Sequence, residues 1–325
     1  MNHKVRLRRF GRFGFDVSEI GFGTWGIGGR TAGETSYGPT DDKASNLALN
    51  RAVELGTNFF DTAAAYGDGH SETLLGHLAA RASTPLVIST KAGIPIFGGP
   101  ADFSPKALET SLKGSKARLR TTALTGLLLH NPSPALIEGT PEITEFLEQL
   151  YRSEDIAFWG LSVKSPADAL AVLNKRDVPV VQVNLNMLDI RAITSGLLTL
   201  AAARGTAIIA RTPLCFGFLS GKVDENTKFP DGDHRNAWSH AQKQVWATGA
   251  KRAWSLAKPG ADESMSQTAI RFCLSFPAVS VVLPGPLTEH EVIENAGASA
   301  RGPLSASAID AIIEMNQNTD FFVRA

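Results

Sequence analysis

Four ionisable side chains stand at the ends of three successive apolar runs: Asp61 and Tyr66 in NFFDTAAAYG, Lys91 in LVISTKAG, and His130 in LTGLLLHNP. Asn58 to Phe60 reads as a buried strand, and the small residues Thr62 to Ala65 leave nothing bulky between the carboxylate and the phenol. A phenol with an ordinary pKa of about 10 is a poor acid at neutral pH, but a nearby ammonium favours its ionised form. Asp61 would hold that ammonium in place, and His130 would donate a hydrogen bond to the oxygen that the phenol protonates. Such a set suits a reaction in which a carbonyl oxygen gains negative charge and needs a proton and donors together. Taken singly, each residue has a plainer reading: Asp61 a carboxylate satisfied by backbone donors, Lys91 a lysine snorkelling at a strand end, His130 a satisfied core histidine.

The elements around these residues must bring them to one place. Short apolar runs recur at Ile20–Phe22, Asn58–Phe60, Leu86–Ser89, Leu124–Leu129, Ile156–Leu161, Val180–Val183, Ala207–Ala210 and Val279–Leu283. Helical patterns lie between them at Lys43–Leu55, Glu72–Arg81, Pro105–Leu119, Pro141–Arg152, Pro166–Lys175, Thr194–Arg204 and Ser264–Phe276. Ser104 with Pro105, and Ser165 with Pro166, form N-cap and first-turn pairs, and Ser71 reads as a further N-cap. Strands apolar throughout, alternating with helices, predict a parallel sheet covered by helices. Eight such units favour a closed (β/α)8 barrel, whose strand ends all open on one face. An open dinucleotide-binding sheet would want G-x-G-x-x-G after its first strand, and GFGTWGIGG (Gly21 to Gly29) has neither that spacing nor a helix start.

Ahead of the barrel, Val5 to Val17 reads as a β-hairpin turning near Gly11, its basic residues Lys4, Arg6, Arg8, Arg9 and Arg12 solvated. Two long loops follow the third and seventh strands, Ile94 to Phe103 and Lys222 to about Trp254. With Trp25, these loops are expected to line the pocket. Asp231, Asp233, His234 and His240 lie in the second loop, where irregular spacing favours solvated or capping roles over metal ligation.

A 325-residue chain, 43% hydrophobic and 20% charged, can bury a large core, and a single domain over 1–325 is expected. Thirty-two basic residues balance 32 acidic ones, which gives no field for nucleic acid and no polybasic membrane anchor. No apolar secretion signal follows Met1, no run is long enough to span a bilayer, and two cysteines make no disulfide framework. A cytoplasmic location is the expectation, with Cys215 a small buried filler.

In order along the chain, FFDTAAAYG, SETLLG, STKAG, LLLHNP, VQVNLN (Val181 to Asn186), PLCFGFLSGK (Pro213 to Lys222) and LPGPLTEHEVIEN (Leu283 to Asn295) resemble the aldo-keto reductases. The resemblance covers almost the whole chain. It implies a (β/α)8 oxidoreductase that reduces an aldehyde or ketone, or oxidises the matching alcohol, by direct hydride transfer with a nicotinamide cofactor. It makes Tyr66 the general acid/base, Lys91 and Asp61 its tuning pair, and His130 the orienting donor, with Trp25 beside them on the substrate side. Ser162 and Gln182 stand where the family holds the carboxamide. Arg211 stands where the family commonly stacks an aromatic on the nicotinamide, and Val163 where it often has Asn. Pro213, Leu214, Gly217, Ser220 and Lys222 fall in the pyrophosphate loop; Gly285, Leu287, Glu291 and Asn295 fall at the adenosine end. Members using NADP generally carry Arg or Lys where this chain has Leu287 and Glu291, so NADP, expected on family prevalence, is nearly matched by NAD. The partner implied is a small carbonyl or alcohol, with the oligomeric state open. A second reading is a nicotinamide-nucleotide sensor or partner subunit with vestigial activity, as in related channel-associated proteins. A third is an unrelated barrel lyase using Lys91 as a Schiff base, in which Asp61 beside Tyr66 has no role.

Overall fold

The computed structural model describes residues 4–29, 31, 36–96 and 98–322. It opens with an antiparallel hairpin, β1 (Leu7–Arg9) and β2 (Asp16–Ser18). Eight strands follow: β3 (Phe22–Gly23), β4 (Phe59–Asp61), β5 (Val87–Ala92), β6 (Leu124–His130), β7 (Ile156–Ser162), β8 (Val180–Asn184), β9 (Ala207–Arg211) and β10 (Val279–Leu283). They pair in parallel in chain order. The two edges meet through an Ile20–Val282 bridge, where Gly21 N and Gly23 N donate to Val282 O and Pro284 O at 2.9 Å, and the sheet becomes a barrel.

The helices are α1 (Asp42–Glu54), α2 (His70–Ala79), α3 (Pro105–Leu119), α4 (Pro134–Gly139), α5 (Pro141–Arg152) and α6 (Pro166–Lys175). They continue with α7 (Arg191–Thr194), α8 (Leu197–Arg204), α9 (His240–Ala257), α10 (Met265–Leu274), α11 (Glu289–Arg301) and α12 (Ala306–Gln317). Side-chain alternation divides each strand between two cores. In β6, Leu127 and Leu129 join the layer between sheet and helices, while Leu128 points into the barrel with Phe59, Phe158, Val180, Ile209 and Val281. Gly126 makes room for Phe158, whose ring would lie 2.1 Å from a Cβ there.

The hairpin is less solvated than its sequence promises. Phe10, fully buried at the tip, packs on Phe59 and Phe158 at centroid separations of 5.6 and 4.9 Å, with Phe13 and Phe15 behind it. Gly11 turns the chain at φ 51°, and a Cβ there would stand 2.6 Å from Ala207 N. Arg8 also turns inward, pairing with buried Glu19 and donating to the carbonyls of Leu274 and Val279. An aromatic plug therefore closes the N-terminal end of the barrel.

Three other expectations change. Ser71 is not an N-cap: α2 starts at His70 after left-handed Gly69, and Ser71 is buried, bonded to Thr24 Oγ1 and Thr62 Oγ1. The pattern over 194–204 is two helices, α7 and α8, parted at Gly196 (φ 81°). The loop expected to run to Trp254 ends at Ser239, because α9 occupies most of its second half. Its buried stripe is mostly Ala and Gly, including Ala247, Gly249, Ala250, Ala253 and Ala257, so hydrophobic contrast is faint. Among the described residues no helix is long and apolar enough to cross a membrane, and no acidic, His and Cys side chains cluster as a metal site.

Candidate active site

On four of the strands the inner position at the C-terminal mouth lies two residues past an apolar one, so the pleat that buries Phe59 also carries Asp61 into the barrel. The same step leads from Leu128 to His130, from Val180 to Gln182 and from Ile209 to Arg211. Register sets His130 beside Ser162 and Ser162 beside Gln182 on neighbouring strands.

Lys91 is the pivot. Its ammonium is wholly buried, ion-paired with Asp61, and donates to Thr62 O at 2.9 Å and Tyr66 Oη at 3.1 Å. Burial works against its charge, but Asp61 and Tyr66 outweigh that and hold its pKa above the ordinary lysine value. The turn carrying Tyr66 is fixed by Thr24, whose hydroxyl donates to Asp61 O at 2.9 Å, and by Gly67, where a Cβ would fall 1.8 Å from Gly28 O. His130 packs edge-on to Tyr66, with ring centroids 6.1 Å apart. Burial, and then the Lys91 and Arg211 charges, push the imidazole down to about 3, so it is neutral at working pH. Its Nδ1 has no hydrogen-bond partner among the described residues.

A cavity of about 360 Å³ runs from this cluster across the mouth. It is bordered by Trp25, Asp61, Tyr66 and His130 at one end, and by Gly285, Leu287, Glu291 and Asn295 at the other. Ser162, Gln182, Arg211, Pro213, Leu214, Gly217, Ser220 and Lys222 also border it. Among the four residues of the expected acid/base set Lys91 alone is off its wall, sealed behind Tyr66 and Asp61. Ser162 Oγ donates to Gln182 Oε1 at 3.0 Å, and Gln182 Nε2 donates to Asp61 Oδ2 at 2.8 Å. Arg211 donates to Val163 O at 3.0 Å; burial lowers its pKa, and Tyr66, Asp189 and Asp61 partly offset this.

The backbone beyond β9 is tightly wound: Thr212, Cys215 and Phe216 have φ of 56°, 43° and 57°. Left-handed non-glycine residues in sequence neighbourhood are costly and mark functional loops. Within this loop the Cys215 side chain is buried, and Cys273 is buried with Sγ donating to Leu185 O; burial raises both thiols far above their usual range. At the far end Glu291 bends back so that its carboxylate accepts from Leu287 N at 2.7 Å.

The long loops play different parts from those expected. No described residue of Ile94 to Phe103 borders the cavity, and Phe97 lies outside the described residues. Trp238 packs edge-on and Trp246 tilted against Phe216, at 4.8 and 5.7 Å between ring centroids, and Phe216 is what reaches the cavity. Of the solvated and capping roles expected there, Asp233 takes the capping one: buried, it caps the turn at His234 and grips Arg235. Tyr37 and Arg235 border the cavity and were not singled out from sequence. Arg235 lies over the Tyr37 ring at 4.5 Å, and burial pushes the Tyr37 hydroxyl up to about 12. The run DGDHR was the available signal, since it carries the arginine that Asp233 holds.

A (β/α)8 barrel with a polar cluster and an elongated cleft at its C-terminal mouth defines a class, the barrels whose chemistry sits at the strand ends. Comparison with known proteins narrows it. The Aldo/keto reductase family profile matches residues 19–317, and the chain belongs to that family. It is an NAD(P)-dependent oxidoreductase of the kind that acts on small-molecule carbonyls. An uncharacterized oxidoreductase, YqkF, of Bacillus subtilis (strain 168) is 25% identical over 313 residues, 95% of each chain. A probable voltage-gated potassium channel subunit beta of Oryza sativa subsp. japonica is 28% identical over 316 residues, 90% of each. The glycerol dehydrogenase AKR11B4 from Gluconobacter oxydans shares the fold, with a TM-score of 0.77 at 24% identity over 100% of this chain and 98% of that one.

Proposed function

We propose that this protein reduces an aldehyde or ketone, or oxidises the matching alcohol, with Tyr66 passing the proton. The observation that carries the reading is the buried Lys91 ammonium 3.1 Å from the Tyr66 hydroxyl and ion-paired with Asp61. A nicotinamide cofactor, when bound, supplies or accepts the hydride. Tyr66 gives its proton to the carbonyl oxygen as that oxygen gains charge. Lys91 steadies the negative charge left on the phenol, and Asp61 keeps Lys91 charged despite its burial. His130, neutral, points a donor at the same oxygen.

The donor set suits a nicotinamide dinucleotide. The buried Ser162 and Gln182 pair offers amide-compatible groups, the wound backbone after β9 offers N–H groups, and the start of α11 completes the far end. The family reading begins from NADP, and Glu291 argues for NAD. Its carboxylate, fixed on Leu287 N, would repel a 2′-phosphate and accept from a free ribose hydroxyl. The Lys and Arg side chains on the cavity wall are engaged: Lys222 pairs with Glu294, Arg235 with Asp233, and Arg211 donates to Val163 O.

Tyr66→Phe tests the proposal. Turnover of 4-nitrobenzaldehyde, followed by loss of reduced-cofactor absorbance, should fall by about 10³-fold while cofactor affinity holds. An unchanged kcat would sink the mechanism. The rice relative's name supports a second reading, a nucleotide-binding partner subunit with little chemistry. Wild-type turnover of any aldehyde panel member at ordinary enzymatic rates would dismiss it.

A further inference from the structure

Gln182 sits between the two halves of the site. Its Nε2 donates to Asp61 Oδ2 at 2.8 Å and its Oε1 accepts from Ser162 Oγ at 3.0 Å, so the amide is oriented from both sides. Asp61 divides its oxygens in turn, Oδ1 to Lys91 and Oδ2 to Gln182. Ser162, Gln182, Asp61 and Lys91 are all buried, and the chain of contacts ends on Tyr66 Oη.

We propose that Gln182 is a positioning residue for the proton donor: acting through Asp61 and Lys91, it sets the proton affinity of Tyr66, apart from any hold it has on the cofactor. This rests on the reading of Tyr66 as the acid. A neutral N–H on Oδ2 draws charge from the carboxylate without adding a charge of its own. Asp61 then claims less of the Lys91 ammonium, leaving more of its field to the phenol oxygen 3.1 Å away. Without that donor the carboxylate tightens on Lys91, one buried oxygen goes unsatisfied, and the phenolate loses support. A ligand that competes for Ser162 or Gln182 is therefore felt at Tyr66 without touching it.

The other groups that face Tyr66 do not obscure the effect. His130, 6.1 Å away by ring centroids, is neutral above about pH 3, and Tyr37 stays protonated up to about 12. Arg211, whose charge also acts on Tyr66, remains a cation.

Alkaline ultraviolet titration of the full chain, with no nucleotide added, tests the relay. The sequence has three tyrosines, Tyr37, Tyr66 and Tyr151, and Tyr66→Phe identifies the step that belongs to Tyr66. In Gln182→Met that step should move upward by about half a pH unit or more. Ser162→Ala, which frees the amide on one side, should move it the same way by less. A step that stays put or moves downward in Gln182→Met overturns the proposal. Should Gln182→Met not fold, Ser162→Ala decides, and an unmoved step overturns the relay. The readout needs no turnover, so failure here and failure of the catalytic reading are separate results.

Discussion

The two ends of the barrel are made from the same strands by opposite chemistry. β4 places Phe59 inward near one end and Asp61 near the other, and β8 does the same with Val180 and Gln182. At the N-terminal end the rings of Phe10, Phe13, Phe15, Phe59 and Phe158 fill the space without a directional bond among them. At the mouth, buried polar atoms form a chain in which each partner depends on the next. Apolar filling loses stability in proportion to the volume removed, whereas a buried polar chain fails sharply when one member goes.

That contrast can be broken at several points. Lys91→Met should have the largest effect, because it removes the cation from Tyr66 and strands the Asp61 carboxylate. Turnover should drop about 10³-fold and stability by about 3–5 kcal/mol in urea unfolding. A fully stable Lys91→Met protein would show that the ion pair does not hold the mouth together. Phe10→Ala should cost about 3 kcal/mol, with turnover per folded molecule nearly unchanged well below the melting point. If activity falls with stability there, the two ends are not independent.

The pH dependence sharpens the same distinction. The folded His130 pKa of about 3 lies below the ordinary 6.5, so the unfolded chain binds the extra proton first. The contribution is complete above 6.5 and is lost as pH falls toward 3. Near pH 5 the loss should amount to about 2 kcal/mol, and His130→Gln should flatten that part of the stability profile. The smallest effect concerns the far end of the cleft: Glu291→Gln should shift the NADPH to NADH affinity ratio about tenfold toward NADPH, measured by fluorescence titration. A ratio unmoved by this change would clear Glu291 of any part in cofactor choice.

Most of the barrel was legible because its strands are apolar throughout and its helices often begin at Ser-Pro pairs such as Ser104–Pro105. The residues at the mouth were legible for the same reason, since a polar residue ending an apolar run stands out. Gln182 was found, yet its bond to Asp61 was not, because the two are 121 positions apart and only barrel closure makes them neighbours. The start of α2 was misplaced because Ser71 has the chemistry of a cap and is spent instead on Thr24 and Thr62. Helix α9 was missed because alanines pack as well as leucines when the facing ring is close: a Cβ on Gly249 would stand 2.5 Å from Phe321. The plug at Phe10 was hidden by arginines that alternate with it in sequence and point elsewhere in space.

Both cysteines are sealed, one in the wound loop that borders the cleft and the other on the buried face of α10. Neither can meet a thiol reagent unless its surroundings part. The rate at which each is labelled thus serves as a built-in clock, one hand timing the opening of the cleft and the other timing the opening of the barrel wall.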